Sequence, residues 1–163
     1  LLNKLANDID VQFKSNNKLD VEFAKYNDSY LIKPLLLMNI NGKSLLNFAN
    51  YYLSDLQNST NKPDILVIYD DLDLQVGEYK FTKGSYSKIH NGIKSLKDYG
   101  FKLDDLNYLK IGVRSKNLGQ SVKKSGVDPS KFVLQKFADE ELHIINDLYS
   151  NTLKRRFLEL LVN

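Results

Sequence analysis

The sequence predicts a single α/β domain, and three observations carry that prediction. Ile65-Leu66-Val67-Ile68 is a run of four aliphatic residues, the pattern of a strand buried on both faces in the middle of an α/β sheet. Along the chain, strand-like alternation is interleaved with segments whose apolar residues recur at helical spacing. A length of 163 residues suits one compact core and leaves little room for a second domain.

Taken in order, Leu2, Leu5, Ala6 and Ile9 have helical spacing, so residues 1–9 read as the tail of an amphipathic helix. Leu19, Val21 and Phe23 alternate with polar residues, and Asn27-Asp28 supplies turn chemistry before Tyr30-Leu31-Ile32, which predicts a hairpin ending at Pro34. Asn41 is placed to cap a helix, because Leu45, Ala49, Tyr52, Leu53 and Leu56 then share one face to about Gln57. A polar loop with Pro63 leads into the aliphatic run. Beyond it come a short strand over 78–83, a loop over 84–88, and a helix from 90 with Ile93, Leu96 and Tyr99 on one side and Gly100 as its stop. A further strand is expected over 109–113. The polar stretch 114–130 reads as a long loop, Phe132-Val133-Leu134 is apolar, and Leu142, Ile145, Leu148, Leu153, Phe157 and Leu160 indicate one or two C-terminal helices.

Composition excludes several classes. No apolar run approaches the ~20 residues of a membrane helix. Zero cysteines rule out a disulfide framework or thiolate zinc site and fit a reducing compartment, so cytoplasm is the expected location. A net charge of +3 is too small to argue for nucleic acid unless the charge is concentrated. It is concentrated: residues 78–102 hold Lys80, Lys83, Lys88, Lys94, Lys97 and Lys102 against only Glu78 and Asp98. Some of these must simply solvate a helix face.

Asp70, Asp71 and Asp73 follow the aliphatic run. Ligands of open α/β sheets bind beyond the carboxyl ends of strands, so these carboxylates stand where chemistry is expected; a solvated acidic turn is the alternative.

Five blocks in order carry a resemblance. Lys33-Pro34 with Met38-Asn39-Ile40-Asn41-Gly42, Tyr69-Asp70-Asp71-Leu72-Asp73-Leu74, His90-Asn91-Gly92-Ile93-Lys94, Leu109-Lys110-Ile111-Gly112-Val113, and Phe132-Val133-Leu134 with Phe137 together resemble bacterial peptidyl-tRNA hydrolase. The resemblance implies one domain with a twisted mixed sheet flanked by helices. It also implies a monomeric esterase that frees tRNA from peptidyl-tRNA without metal or organic cofactor.

Hydrolysing an ester takes a general base for water, a group that orients the base, and donors for the carbonyl. By resemblance Asp70 matches the family carboxylate that orients and steadies the histidine base. Asn39 and Asn91 match two substrate-contacting asparagines, whose amides donate and accept at once; as helix N-caps they would have a purely structural explanation. His90 matches a family histidine near the tRNA that is not the base, and structural use of a lone histidine is the competing explanation. Lys80 and Lys110 match basic family positions. Leu37 stands where the family has an aromatic residue, which keeps an apolar wall and loses stacking. Asp73 reads equally well as a turn cap, and His143 has little functional claim.

Besides Leu37, the sequence departs from the family in two places. The glycine-rich run before His-Asn-Gly is here Ser85-Tyr86-Ser87-Lys88-Ile89. The first residue is Leu1, and the family's opening strand, its Gly-x-x-Asn-Pro-Gly turn and the His-Asn carrying the base have no counterpart, so the expectation is a domain over 1–163 lacking its first central strand. Two other functions fit parts of the pattern: a non-catalytic tRNA- or RNA-binding relative, and a metal-dependent phosphatase using Asp71 and Asp73.

Overall fold

Alternation and a two-residue turn build the first sheet. In the computed structural model, which describes residues 1–54, 63–115 and 136–162, β1 (Lys14–Asn16) pairs antiparallel with β2 (Val21–Tyr26), and β2 with β3 (Ser29–Pro34). Asn27 takes φ 52° between Tyr26 and its partner Ser29, a left-handed conformation that asparagine tolerates. The hairpin is where it is expected; β1 is an addition.

The second sheet has the order β4-β6-β5. β4 (Leu66–Gln75) runs parallel to β6 (Asn107–Arg114), and β5 (Tyr79–Lys83) is antiparallel to it. The sheet is therefore mixed, and two expectations need correction. The middle strand among the described residues is β6, not the aliphatic run, and most of β4 is only half-buried. β4 also continues to Gln75, so Asp70, Asp71 and Asp73 lie within the strand instead of past its end.

The two faces of β6 explain its position. Leu109 and Ile111 enter a core with Leu5 and Ala6 of α1 (Leu2–Asp8), Ala24 and Leu31 of the hairpin, and Leu148, Tyr149, Leu153 and Phe157 of the C-terminal helices. Tyr108 points the other way, fully buried with Tyr69, Ile93, Leu96, Leu103 and Leu106. Its hydroxyl donates to the Leu103 carbonyl (2.8 Å), satisfying the one polar group of a buried ring.

Among the described residues, four other helices complete the layers: α2 (Asn41–Tyr52), α3 (Asn91–Asp98), α4 (Asp139–Leu148) and α5 (Lys154–Val162), the last two joined by a π-turn (Tyr149–Leu153). α3 stops as its glycine suggests. Gly100 has φ 87°, its N–H donates to the Lys97 carbonyl (3.0 Å), and the Phe101 N–H donates to the Leu96 carbonyl (3.1 Å), the Schellman arrangement.

α2 differs at both ends. It stops at Tyr52, where Leu53 leaves helical geometry (φ −122°, ψ 16°). Its cap is Ile40 and not Asn41, because a 3-10 turn (Met38–Ile40) feeds directly into it. The donor so left open is met from α3: the Gly42 N–H donates to Ser95 Oγ (2.9 Å) in a buried contact. A Cβ on Gly42 would lie 2.5 Å from the Ser95 carbonyl oxygen, so the close crossing of α2 and α3 requires glycine. Phe132-Val133-Leu134 and most of the 114–130 loop lie outside the described residues.

Candidate active site

The site grows from the N-terminus of α3, whose first amide groups need acceptors. His90 supplies one. From an extended backbone (φ −75°, ψ 119°), its Nδ1 accepts the N–H groups of Gly92 (3.1 Å) and Ile93 (3.3 Å). The cap of this helix is thus His90, and neither Asn91 nor Asn39 is a cap: Asn91 is the first residue of α3 and Asn39 lies in the 3-10 turn.

A ring nitrogen that accepts carries no proton, which leaves the hydrogen on Nε2. That nitrogen lies 3.1 Å from Asp70 Oδ1, so the imidazole donates to the carboxylate. The His90 side chain is 13% exposed and that of Asp70 38%. The hydrogen bond from His90 holds the Asp70 carboxyl below its ordinary pKa, against a smaller opposing effect of burial.

Tyr69 and Gly92 bound the imidazole. Tyr69 packs on it with ring centroids 4.9 Å apart, and the Tyr69 hydroxyl accepts the Ser87 N–H (2.9 Å). Burial, followed by the Asp71 and Asp70 charges, pushes the Tyr69 phenol above its ordinary value, opposed by the Ser87 bond. Beneath the ring lies Gly92, where a Cβ would come within 3.0 Å of His90 Cε1 and 3.2 Å of Met38 Cγ. The departure from the family's glycine-rich loop is accommodated here. Ser87 grips Tyr69, Tyr86 packs on Tyr108 (5.7 Å), and the Thr82 hydroxyl donates to the Ser85 carbonyl (2.6 Å).

Leu37, Asn39 and Asn91 come together on an open groove of about 570 Å³, with Met38, Lys94 and Asp98 as its other lining residues. Leu37 is 73% exposed, and Leu35, Met38 and Ile40 are exposed beside it. An apolar rim of this kind, with asparagine amides in the wall, suits a ligand that is part apolar and part hydrogen-bonding. The sequence marks Lys94 by a family block and a lysine cluster and Asp98 as one of that cluster's two acids, but marks neither as a groove residue. The signal was available, because positions 91, 94 and 98 fall on one face of α3.

The Asp71 carboxylate is engaged locally: its Oδ1 accepts the backbone N–H of Asp73 (2.8 Å) at the irregular end of β4, so the capping carboxylate expected at Asp73 is that of Asp71, and it caps no turn. No grouping of three or more histidine, aspartate or glutamate residues able to hold a metal ion occurs among the described residues. His143 is exposed on α4, 3.4 Å from Asp147.

Lys80 and Lys110 meet as direct partners between β5 and β6 and are not among the groove's lining residues. All six lysines between residues 78 and 102 are exposed.

The sequence matches the family described as Peptidyl-tRNA hydrolase over residues 1–162. The chain belongs to the peptidyl-tRNA hydrolase family. It is 33% identical over 162 residues to a peptidyl-tRNA hydrolase of Campylobacter concisus, covering 99% of this chain and 77% of the relative. A peptidyl-tRNA hydrolase of Helicobacter pylori is 30% identical over 153 residues, covering 93% and 70%. The crystal structure of peptidyl-tRNA hydrolase from Acinetobacter baumannii superposes with a TM-score of 0.67 at 21% identity, over 89% of this chain and 68% of that one, which shows the shared fold. No helix among the described residues is long and apolar enough to cross a membrane.

Proposed function

We propose that this protein hydrolyses the ester bond of peptidyl-tRNA, releasing peptide and free tRNA. The observation that carries the reading is the adjacency of a carboxylate–imidazole pair, Asp70 and His90, to a groove walled by Leu37, Met38, Asn39 and Asn91. Asp70 is placed to orient the family's histidine base, which is neither His90 nor His143 of this sequence, because a carboxylate held ionised steadies the imidazolium that forms when water is deprotonated. Asn39 and Asn91, both exposed on the groove, offer amide donors and acceptors to the peptide and the terminal ribose, and Leu37 offers an apolar wall. Lys80 and Lys110 bring two positive charges to tRNA phosphates.

The same reading makes the protein a cytoplasmic monomer that needs neither metal nor organic cofactor. Its substrate arises in translation, and zero cysteines suit a reducing compartment. The test is release of free tRNA from a peptidyl-tRNA with a blocked α-amine. In a chain that carries the family's histidine base, cleavage that depends on Asp70 is the expected result. Tight tRNA binding with the ester left intact would overturn it in favour of a non-catalytic RNA-binding protein.

A further inference from the structure

His90 matches a histidine that the family resemblance places near tRNA, yet its surroundings give the ring different work. Both nitrogens are engaged within the chain: Nδ1 accepts from Gly92 and Ile93, and Nε2 faces Asp70 Oδ1. The side chain is 13% exposed and stacked against Tyr69, so it presents neither an unshared lone pair nor a free donor to a ligand. A neutral imidazole can serve these three partners only with its hydrogen on Nε2. Protonating Nδ1 would turn a donor toward two amide donors and undo the cap, so the helix terminus selects this tautomer.

We infer that His90 is a positioning residue: the amide groups at the start of α3 lock its Nε2–H tautomer, which fixes Asp70 through Oδ1 while setting Asn91 at the groove. The base itself is neither histidine of this sequence, since His90 is engaged on both nitrogens and His143 is exposed on α4 beside Asp147. One rigid ring joins the residue that orients the base to the helix turn that presents Asn91, so catalytic geometry and binding geometry are set together. This inference rests on the hydrolase reading and adds a role that neither contacts substrate nor moves a proton. It also accounts for the residue after Asn91, since a Cβ there would press on the imidazole at 3.0 Å.

Two substitutions separate the functions of the ring. In His90→Asn the side chain is a good helix cap but too short to reach Asp70, whereas His90→Ala removes both contacts. Nitrogen NMR of labelled histidine in the full chain should show the neutral ring of His90 with its hydrogen on Nε2 and none on Nδ1. His90→Asn should melt close to wild type and lose turnover by about tenfold or more with KM little changed, as for loss of an orienting contact. His90→Ala should lose thermal stability as well. A proton on Nδ1, wild-type turnover in His90→Asn, or a defect confined to KM would each overturn the assignment; the last would make His90 a tRNA contact. If the wild-type chain binds tRNA without cleaving its ester, the hydrolase reading fails, while the NMR spectrum still decides the tautomer.

Discussion

Lys80 and Lys110 face each other across the antiparallel β5–β6 ladder. Like charges directly opposite in a sheet are destabilising, by a fraction of a kcal/mol when solvated, and the fold carries that cost with Lys80 exposed and Lys110 half-buried. A polyanion would relieve it. Replacing Lys80 by Gln should therefore leave the melting temperature equal or slightly raised while weakening tRNA binding. The log–log salt slope should fall by about 0.7 to 0.9 if one phosphate contact is lost. Binding titrations at several salt concentrations check this, and an unchanged slope would remove Lys80 from the interface.

Asp70→Asn keeps the size of the side chain and its acceptor oxygen while removing the charge. In an enzyme that carries the family's histidine base, turnover should drop on the order of a hundredfold, by comparison with other orienting aspartates. Folding should suffer little, because the carboxylate is 38% exposed and its pair is largely screened. The small stability it confers follows its depressed pKa: present at neutral pH, it disappears as pH falls through that lowered value. Comparing wild type and variant by turnover and by melting at pH 7 and at acidic pH separates the two effects.

Much of this fold was legible in short-range pattern and little of it in long-range contact. Asn27-Asp28 between alternating segments specified the hairpin, and the apolar spacing of Ile93 and Leu96 before Gly100 specified α3, because period and turn chemistry are local. The aliphatic run pointed to β4, whereas the middle strand among the described residues is β6. β6 is the strand buried on both faces, but Lys110 and Gly112 interrupt its apolar run and disguise it. In the site, the groove residues Leu37, Asn39 and Asn91 were legible through the family blocks. The cap was not, since histidine is an uncommon capping residue and asparagine the usual one. Nor could sequence show that Ser95, 53 residues on, would receive the Gly42 amide.

That Ser95 contact predicts its own cost. Ser95→Ala would leave the Gly42 N–H buried at the α2–α3 crossing with no acceptor, a loss of roughly 1–3 kcal/mol. The 3-10 turn carrying Asn39 leads straight into α2, so ligand affinity should weaken along with the melting temperature. Denaturant unfolding and tRNA titration of the same variant test both parts. A stable variant with weakened affinity would show that the contact serves only the site.

Gly112 is the narrowest point of the β4–β6 pair. A Cβ there would stand 1.9 Å from the Gln75 carbonyl oxygen and 2.9 Å from the Leu74 carbonyl carbon, beside the register shift between Asp71 and Gln75. Backbone cannot step aside as a flexible side chain would. Gly112→Ala should cost about 3 kcal/mol through overpacking and pull β4 out of register near Asp71, lowering the melting temperature and activity together. Loss of activity at full stability would show that the strand moves without cost.

The ends of the described chain are tied by Asp8 of α1. Its carboxylate accepts the Tyr149 hydroxyl at the π-turn (2.5 Å) and pairs with Lys154 Nζ at the start of α5 (2.8 Å). The Lys154 bond, followed by that from Tyr149, holds Asp8 below its ordinary pKa. Burial, reinforced by Asp8, pushes the Tyr149 phenol upward, so it remains a donor across the working pH range. Stability from a depressed carboxylate is complete above its unfolded pKa of about 4 and is lost as pH falls through the lower folded value. Asp8→Asn should therefore melt below wild type at pH 7, and the two should converge on acidification. High salt should narrow the gap only partly, because the Tyr149 hydrogen bond involves no second charge. Melting curves from pH 7 down to acid pH, at low and high salt, test this, and a gap that stays constant across the titration would mean that Asp8 acts through packing and not through its charge.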